Sequence, residues 1–211
     1  MATPVPTDDM VLEADGIDAA LFWHENKRKI LLGALAGLVV VGGSLAWYVS
    51  SVLSTKASEA ALAGAKDAAA YEAVARDYRG TSAAASATML LASALREEGK
   101  MAESTAAFEQ FLQSYPKHSL AGGALLGIGQ NQDASGDAAA ASATFQSVAD
   151  RYPTSYAAPF ARYALAEIHL RDFRRDEARA LFEAIQTEAP DSVVARLAAA
   201  QLARLGPPVA E

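Results

Sequence analysis

The side chains that could do chemistry in this chain are few, and their neighbours account for each of them. His24, His118 and His169 are the only histidines, none stands in an HExxH spacing, and there are no cysteines, so no zinc-type ligand set is spelled out. Ser114-Tyr-Pro-Lys117 matches the SxxK string that supplies a nucleophile and its base in serine β-lactamases. It has no Ser-Asp-Asn or Lys-Thr-Gly partner and falls on a helix-ending Tyr-Pro turn. Gly127-Ile-Gly129 lacks both the third glycine and the preceding strand of a dinucleotide fingerprint. The acidic pairs Glu97–Glu98 and Asp176–Glu177 fall at turns or helix starts, where carboxylates complement the helix dipole. No catalytic, cofactor-binding or metal constellation emerges, and the chain reads as a non-enzyme.

The elements that carry these residues repeat. Phe108, Phe145 and Phe182 are 37 positions apart, as are Tyr115 and Tyr152, and Pro116, Pro153 and Pro190. Such a period means one supersecondary unit stacked on its copies, each burying the apolar face its neighbour cannot cover alone. Ser104, Ala141 and Ala178 lie four before the aromatic, and Phe111, Val148 and Ile185 three after it, which is one face of a helix. Proline closes that helix. Upstream, Leu91, Ile128 and Leu165 are followed by the tiny Ala92, Gly129 and Ala166, a pairing that lets two helices approach closely. The pattern resembles the tetratricopeptide repeat, whose unit is about 34 residues. The extra three residues extend the start of each first helix, through Ala84, Ala121, Ala158 and Ala195 and through Ala87, Ala124, Ala161 and Ala198. The spacing predicts helices over roughly 57–78, 83–98, 101–115, 119–134, 137–152, 156–171, 174–188 and 191–205. The fold class is therefore all-α. The first copy, with Tyr71, Val74 and Tyr78 but Arg79 in place of proline, reads as a degenerate end cap.

Residues 30–49 contain no charged side chain, and twenty helical residues at about 1.5 Å each span roughly the 30 Å core of a bilayer. Lys27, Arg28 and Lys29 precede this run and only Lys56 follows closely, so the positive-inside rule places the N-terminus in the cytoplasm. Trp47 and Tyr48 suit the far interface. A cleaved signal peptide uses similar grammar, but the apolar run is too long, some 26 residues precede the basic cluster and no convincing small-x-small cleavage site follows Trp47. Gly33 and Gly37 form a GxxxG that permits close helix packing in lipid; the plainer alternative is that glycine is common in such helices. The expected organisation is an acidic, disordered cytoplasmic tail over 1–26, a basic flank and transmembrane helix over 27–50, and a periplasmic repeat domain over 51–211. Within that tail, Ile17 to His24 could form a short amphipathic helix.

The repeat domain carries 15 Lys and Arg against 19 Asp and Glu, a balance of 15 − 19 = −4, so nothing in it attracts nucleic acid. The absence of cysteine suits an oxidising compartment. What remains is surface. In tetratricopeptide arrays the first helix of each pair lines a concave groove, and that frame places Met89, Ser93, Leu126, Gln130, Phe160, Tyr163 and Glu167 on the wall as candidate partner contacts. The alternative for Phe160 and Tyr163 is ordinary core between repeats.

The whole arrangement, with its acidic tail, Leu-Phe-Trp-His-Glu-Asn-Lys-Arg-Lys stretch, glycine-rich span ending in Trp-Tyr and repeats with Tyr-Pro turns, resembles the YfgM family. These are membrane-anchored periplasmic tetratricopeptide proteins that accompany the SecYEG translocon of the bacterial inner membrane. The resemblance implies protein partners (translocon subunits, a PpiD-like chaperone and translocating chains), no small-molecule substrate and no enzymatic activity. The second reading is a periplasmic scaffold for envelope assembly or division of the Tol–Pal-associated type. It shares the Tyr-Pro-x-Ser style seen at Tyr152-Pro153-Thr-Ser155 but lacks an uncleaved anchor. A reporter active only in the periplasm, fused after Glu211, is expected to be active; activity of a cytoplasmic reporter at that position instead would overturn the topology.

Overall fold

The computed structural model describes residues 19–207, which hold nine helices and no strand. Residues 1–18, most of the expected tail, lie outside the described residues, as does the start of the Ile17–His24 helix. Helix α1 runs over Ala19–Gly64 and begins inside the segment expected as tail. Two compact units divide after Val52.

In the first unit α1 presents apolar side chains on every face. Leu38, Val39, Val40 and Val41 are each at least 66% exposed, and four consecutive residues at 100° steps sweep the whole circumference. By length and composition this helix can cross a membrane. A Cβ built at Gly33 or Gly37 meets nothing within 4 Å, so the small-residue face is open.

The second unit, from Leu53, contains the end of α1 and α2 (Ala68–Asp77), α3 (Ser82–Glu97), α4 (Met101–Ser114), α5 (Ala121–Ala134), α6 (Ala138–Arg151), α7 (Ala157–Arg171), α8 (Arg175–Glu188) and α9 (Val193–Leu205). From α2 onward each helix packs on the next, as the sequence period requires. The expected helix over 57–78 is two. α1 stops at Gly64, and Asp67 restarts the chain by accepting the Ala70 amide at 2.8 Å, an N-cap that satisfies one orphan donor of α2. Consecutive first helices (α3, α5, α7, α9) also touch one another, whereas consecutive second helices do not, so within this unit the first helices form the inner wall.

Ring burial against tiny residues holds the helices together, within a pair at Phe145 on α6 and Gly129 on α5 and between pairs at Phe108 on α4 and Gly127 on α5. Phe108, Phe145 and Phe182 are each at most 2% exposed, and burying such a side chain stabilises by about 1.5–3 kcal/mol. The Phe108 ring lies where a Cβ on Gly127 would be, 2.5 Å from the built position, and the Phe145 ring likewise covers Gly129 at 2.5 Å. Those glycines thus serve ring packing. The alanine rows are buried too: Ala84, Ala121 and Ala158, and Ala87, Ala124, Ala161 and Ala198, have no accessible surface. Turns between paired helices use Gly99 and Gly136 at φ 78° and 85°, but the third copy places Phe173 there at φ 62° and 91% exposed. A bulky residue in that region is strained.

Asn131, 1% exposed, adds a polar joint to this apolar packing. Its Nδ2 donates to Ser104 Oγ at 2.8 Å and Thr105 Oγ1 at 3.1 Å, and Ser104 Oγ donates on to the Ala92 carbonyl at 2.7 Å. The first turn of α4 is thereby tied to both α3 and α5.

Phe145→Ala is expected to cost about 3–5 kcal/mol in denaturant unfolding of the full chain followed by far-UV circular dichroism. Gly129→Ala should also destabilise, although Ala for Gly in a helix ordinarily gains about 1 kcal/mol, because the new methyl meets a buried ring. A gain on Gly129→Ala would refute the packing argument.

Candidate partner-binding face

On α7 the positions 156, 160, 163 and 167 fall at i, i+4, i+7 and i+11, one helical stripe, and the 37-residue period repeats that stripe on each first helix. On α3 it reads Ser82, Ser86, Met89, Ser93, and on α5 Ser119, Gly123, Leu126, Gln130. On α7 it reads Tyr156, Phe160, Tyr163, Glu167, and on α9 Val193, Leu197, Ala200, Arg204. The wall changes along the array from small and polar to aromatic and aliphatic.

The expected contact residues divide into three groups. Leu126 is 7% exposed and belongs to the core cluster, so it is not a groove contact. The two flanking first helices close over that part of α5. Met89 and Ser93 are half-buried, with Met89 packed against the same core. The polar members are occupied within the array: Arg96 donates to Gln130 Oε1, and Gln201 Nε2 donates to Glu167 Oε1 at 2.9 Å and to the Tyr163 hydroxyl at 3.2 Å. Arg171 donates to Asp133 Oδ1 in the same fashion. Each bond joins one first helix to the next, so these groups form a ladder that fixes the curvature of the wall. Tyr163 also sets its ring 5.4 Å from Phe182, which makes it largely a core residue.

Phe160 remains, 43% exposed. Three residues not singled out in sequence join it: Tyr156, Val193 and Leu197, at 55%, 58% and 47% exposure. Tyr156 and Val193 share one repeat position and Phe160 and Leu197 another, on the neighbouring helices α7 and α9. The 37-residue period itself carries this pairing into the exposed positions. Gly123 leaves room for Tyr156, whose hydroxyl oxygen lies 2.1 Å from a Cβ built there. Four exposed large apolar side chains on two adjacent helices form the type of patch that marks interaction sites.

Among the described residues no group of three or more His, Asp or Glu could hold a metal. His118 is structural: its ring stands edge-on to Phe111 at 5.5 Å, and its Nδ1 accepts the Leu120 amide. Ser114 is the last residue of α4, and Ser114 and Lys117 are both exposed on either side of Pro116. His169 is half-buried with Nδ1 buried and without a hydrogen-bond partner. Burial holds its pKa below the ordinary 6.5, helped by nearby Arg174.

Three segments, 86–118, 123–155 and 160–192, match the tetratricopeptide repeat family profile, and their starts keep the 37-residue step. This region is therefore a tetratricopeptide-repeat α-solenoid, the class of scaffold that binds other proteins. Among solved structures it is similar to a tetratricopeptide repeat protein from Parabacteroides merdae, with a TM-score of 0.50 and 18% identity over 65% of this chain and 52% of that one. It is also similar to a thermophilic tetratricopeptide repeat protein from Thermus thermophilus, with a TM-score of 0.50 and 21% identity over 63% of this chain and 70% of that one. The chain thus spans about half the length of the first of these. No curated protein matches it significantly.

Because the folded His169 resists protonation, the unfolded chain takes up more protons below the ordinary value of 6.5. Its contribution to stability is thus retained above that pH and lost as pH falls through it. The unfolding midpoint should drop between about pH 7.5 and about pH 5.5, and His169→Gln should flatten that drop. An unchanged slope in the variant would refute the assignment.

Proposed function

We propose that this protein is an adaptor held in a bacterial inner membrane by α1, with its repeats in the periplasm, whose inner wall takes apolar segments of other proteins at the translocon. The observation that carries the reading is the division of labour on that wall. Gln130, Glu167 and the Tyr163 hydroxyl are bonded to groups on the neighbouring first helices, while Tyr156, Phe160, Val193 and Leu197 are exposed. An apolar segment placed there removes aromatic and aliphatic surface from water and breaks none of the ladder. Emerging secreted chains and their chaperones offer such segments. The likeness of the tail, span and Tyr-Pro repeats to the YfgM family supports the translocon as the setting, with SecYEG subunits and a PpiD-like chaperone as partners. The apolar helix, with Lys27, Arg28 and Lys29 before it, supports the anchor and its orientation. Gly33 and Gly37 offer a second surface, toward other membrane helices.

A photo-crosslinking residue at position 160 is expected to capture translocon subunits, chaperones or nascent secreted chains in intact membranes, and Phe160→Glu should reduce co-purification of those partners. Gly37→Leu should weaken co-purification of membrane partners while leaving the repeats folded. Capture of division or cell-wall proteins alone at position 160 would move the function to the envelope scaffold of the Tol–Pal-associated type.

A further inference from the structure

The helix α2 starts later than the period requires, and the delay leaves a cleft. Shifted back by 37, α4 (Met101–Ser114) would correspond to a helix over 64–77, but α2 begins at Ala68. One helical turn is missing. In the next repeat that turn, Met101–Ser104 at the start of α4, is bound by Asn131, whose Nδ2 donates to Ser104 Oγ and to the Met101 carbonyl. On the helix packed against it, α5, Ile128 is 7% exposed. The equivalent of Ile128 on α3 is Leu91, which stays half-buried. The space left is a cleft of about 590 Å³ between the start of α2, the end of α3 and α4. Leu91, Leu95, Ala106 and Ala107 line it on the apolar side.

Its rim is acidic. Asp67, Glu72, Glu98 and Glu103 stand around it against the single cation Lys100. Lys100 is engaged by Glu98 at 2.8 Å, and Asp67 is engaged in capping α2. Glu72 and Glu103, both exposed, form no ion pair among the described residues. The terminal segments outside the described residues, 1–18 and 208–211, contain no Lys or Arg and so bring the wrong charge to this rim. The cleft lies on the side of the second helices, away from the wall that carries Phe160.

We propose that this cleft is a second docking site, which receives one turn of a basic amphipathic helix from a partner protein. The partner's apolar residue replaces the missing turn over Leu91, and its Lys or Arg side chains meet Glu72 and Glu103. Helical shape is required because in the next repeat the same space holds a helical turn, and positive charge is required because the unpaired rim groups are carboxylates. Binding here does not depend on what occupies the inner wall.

The test uses the full chain in phosphatidylcholine nanodiscs, with empty nanodiscs as background. The probe is a fluorescent twelve-residue helical peptide of Leu, Ala and Lys with two leucines one turn apart, compared with the same peptide carrying Glu in place of Lys. The Lys peptide should give saturable polarisation that weakens with added salt, and the Glu peptide should give none. Glu72→Lys combined with Glu103→Lys should weaken binding about tenfold. Ala106→Trp, which fills the floor from an exposed position, should abolish it. Both variants should keep the wild-type circular dichroism spectrum, and the salt dependence in wild type stands as the measure if either does not. Equal binding of the two peptides, no binding of either at millimolar concentration, or unchanged binding by the folded variants would each overturn the proposal. Concentration-dependent self-association that Ala106→Trp removes would overturn it in favour of a second copy of this chain as the occupant.

Discussion

Everything in the repeat unit depends on how closely two helices can approach where an aromatic ring lies between them. Phe108 and Phe145 reach full burial because Gly127 and Gly129 have no side chain in the way, and each ring sits where a Cβ would be. Phe182 is buried against the alanine at the equivalent position, Ala166, within a cluster that also holds Ala178 and Ile185. With a ring on one helix and glycine or alanine on the helix facing it, the interhelical distance is set by the ring, both within a pair and between successive pairs. The alanine rows at the start of each first helix extend this close contact and let successive first helices touch.

That contact on one side and separation on the other bend the array, and the bend determines which side chains face what. Along the inner wall the polar groups meet across neighbouring helices and bond to each other. A hydrogen bond between exposed side chains contributes little by itself, but a series of them across successive helices fixes the spacing of the wall on which Tyr156, Phe160, Val193 and Leu197 are displayed. A rigid wall presents the apolar residues in one arrangement, which lowers the ordering cost when a partner segment lies on them.

The first repeat lacks the constraint that acts in the others. Its second helix is a turn short because α1 continues to Gly64 and the chain needs residues 65–67 before Asp67 can cap a new helix. Strain of a different kind marks the third repeat, where Phe173 takes the left-handed conformation that Gly99 and Gly136 adopt at no steric cost. Both irregularities leave exposed what the regular repeat would cover or turn without strain.

The sequence alone determined the periodic features. The 37-residue step, the alternation of Phe with Gly or Ala, the prolines at helix ends and the uncharged run of 30–49 follow from residue size, backbone freedom and hydropathy, which are local properties that repeat legibly. Seven of the helix ranges they predict differ from α3–α9 by at most two residues at either end. Only the tertiary structure decided which face of a first helix each residue would serve. Leu126 and Phe160 lie on the same stripe, yet one is buried and the other is not, because Leu126 sits one turn further into its helix, within the core cluster, while Phe160 sits nearer the start of α7. Tyr163, Gln130 and Glu167 read as contacts in sequence and became ladder members, since their partners are 34 to 38 residues away and are found only when helices stack. The missing turn of α2 was equally hidden, because helix propensity continues through 57–78 and the interruption arises from capping by one aspartate whose effect depends on where the next helix must pack.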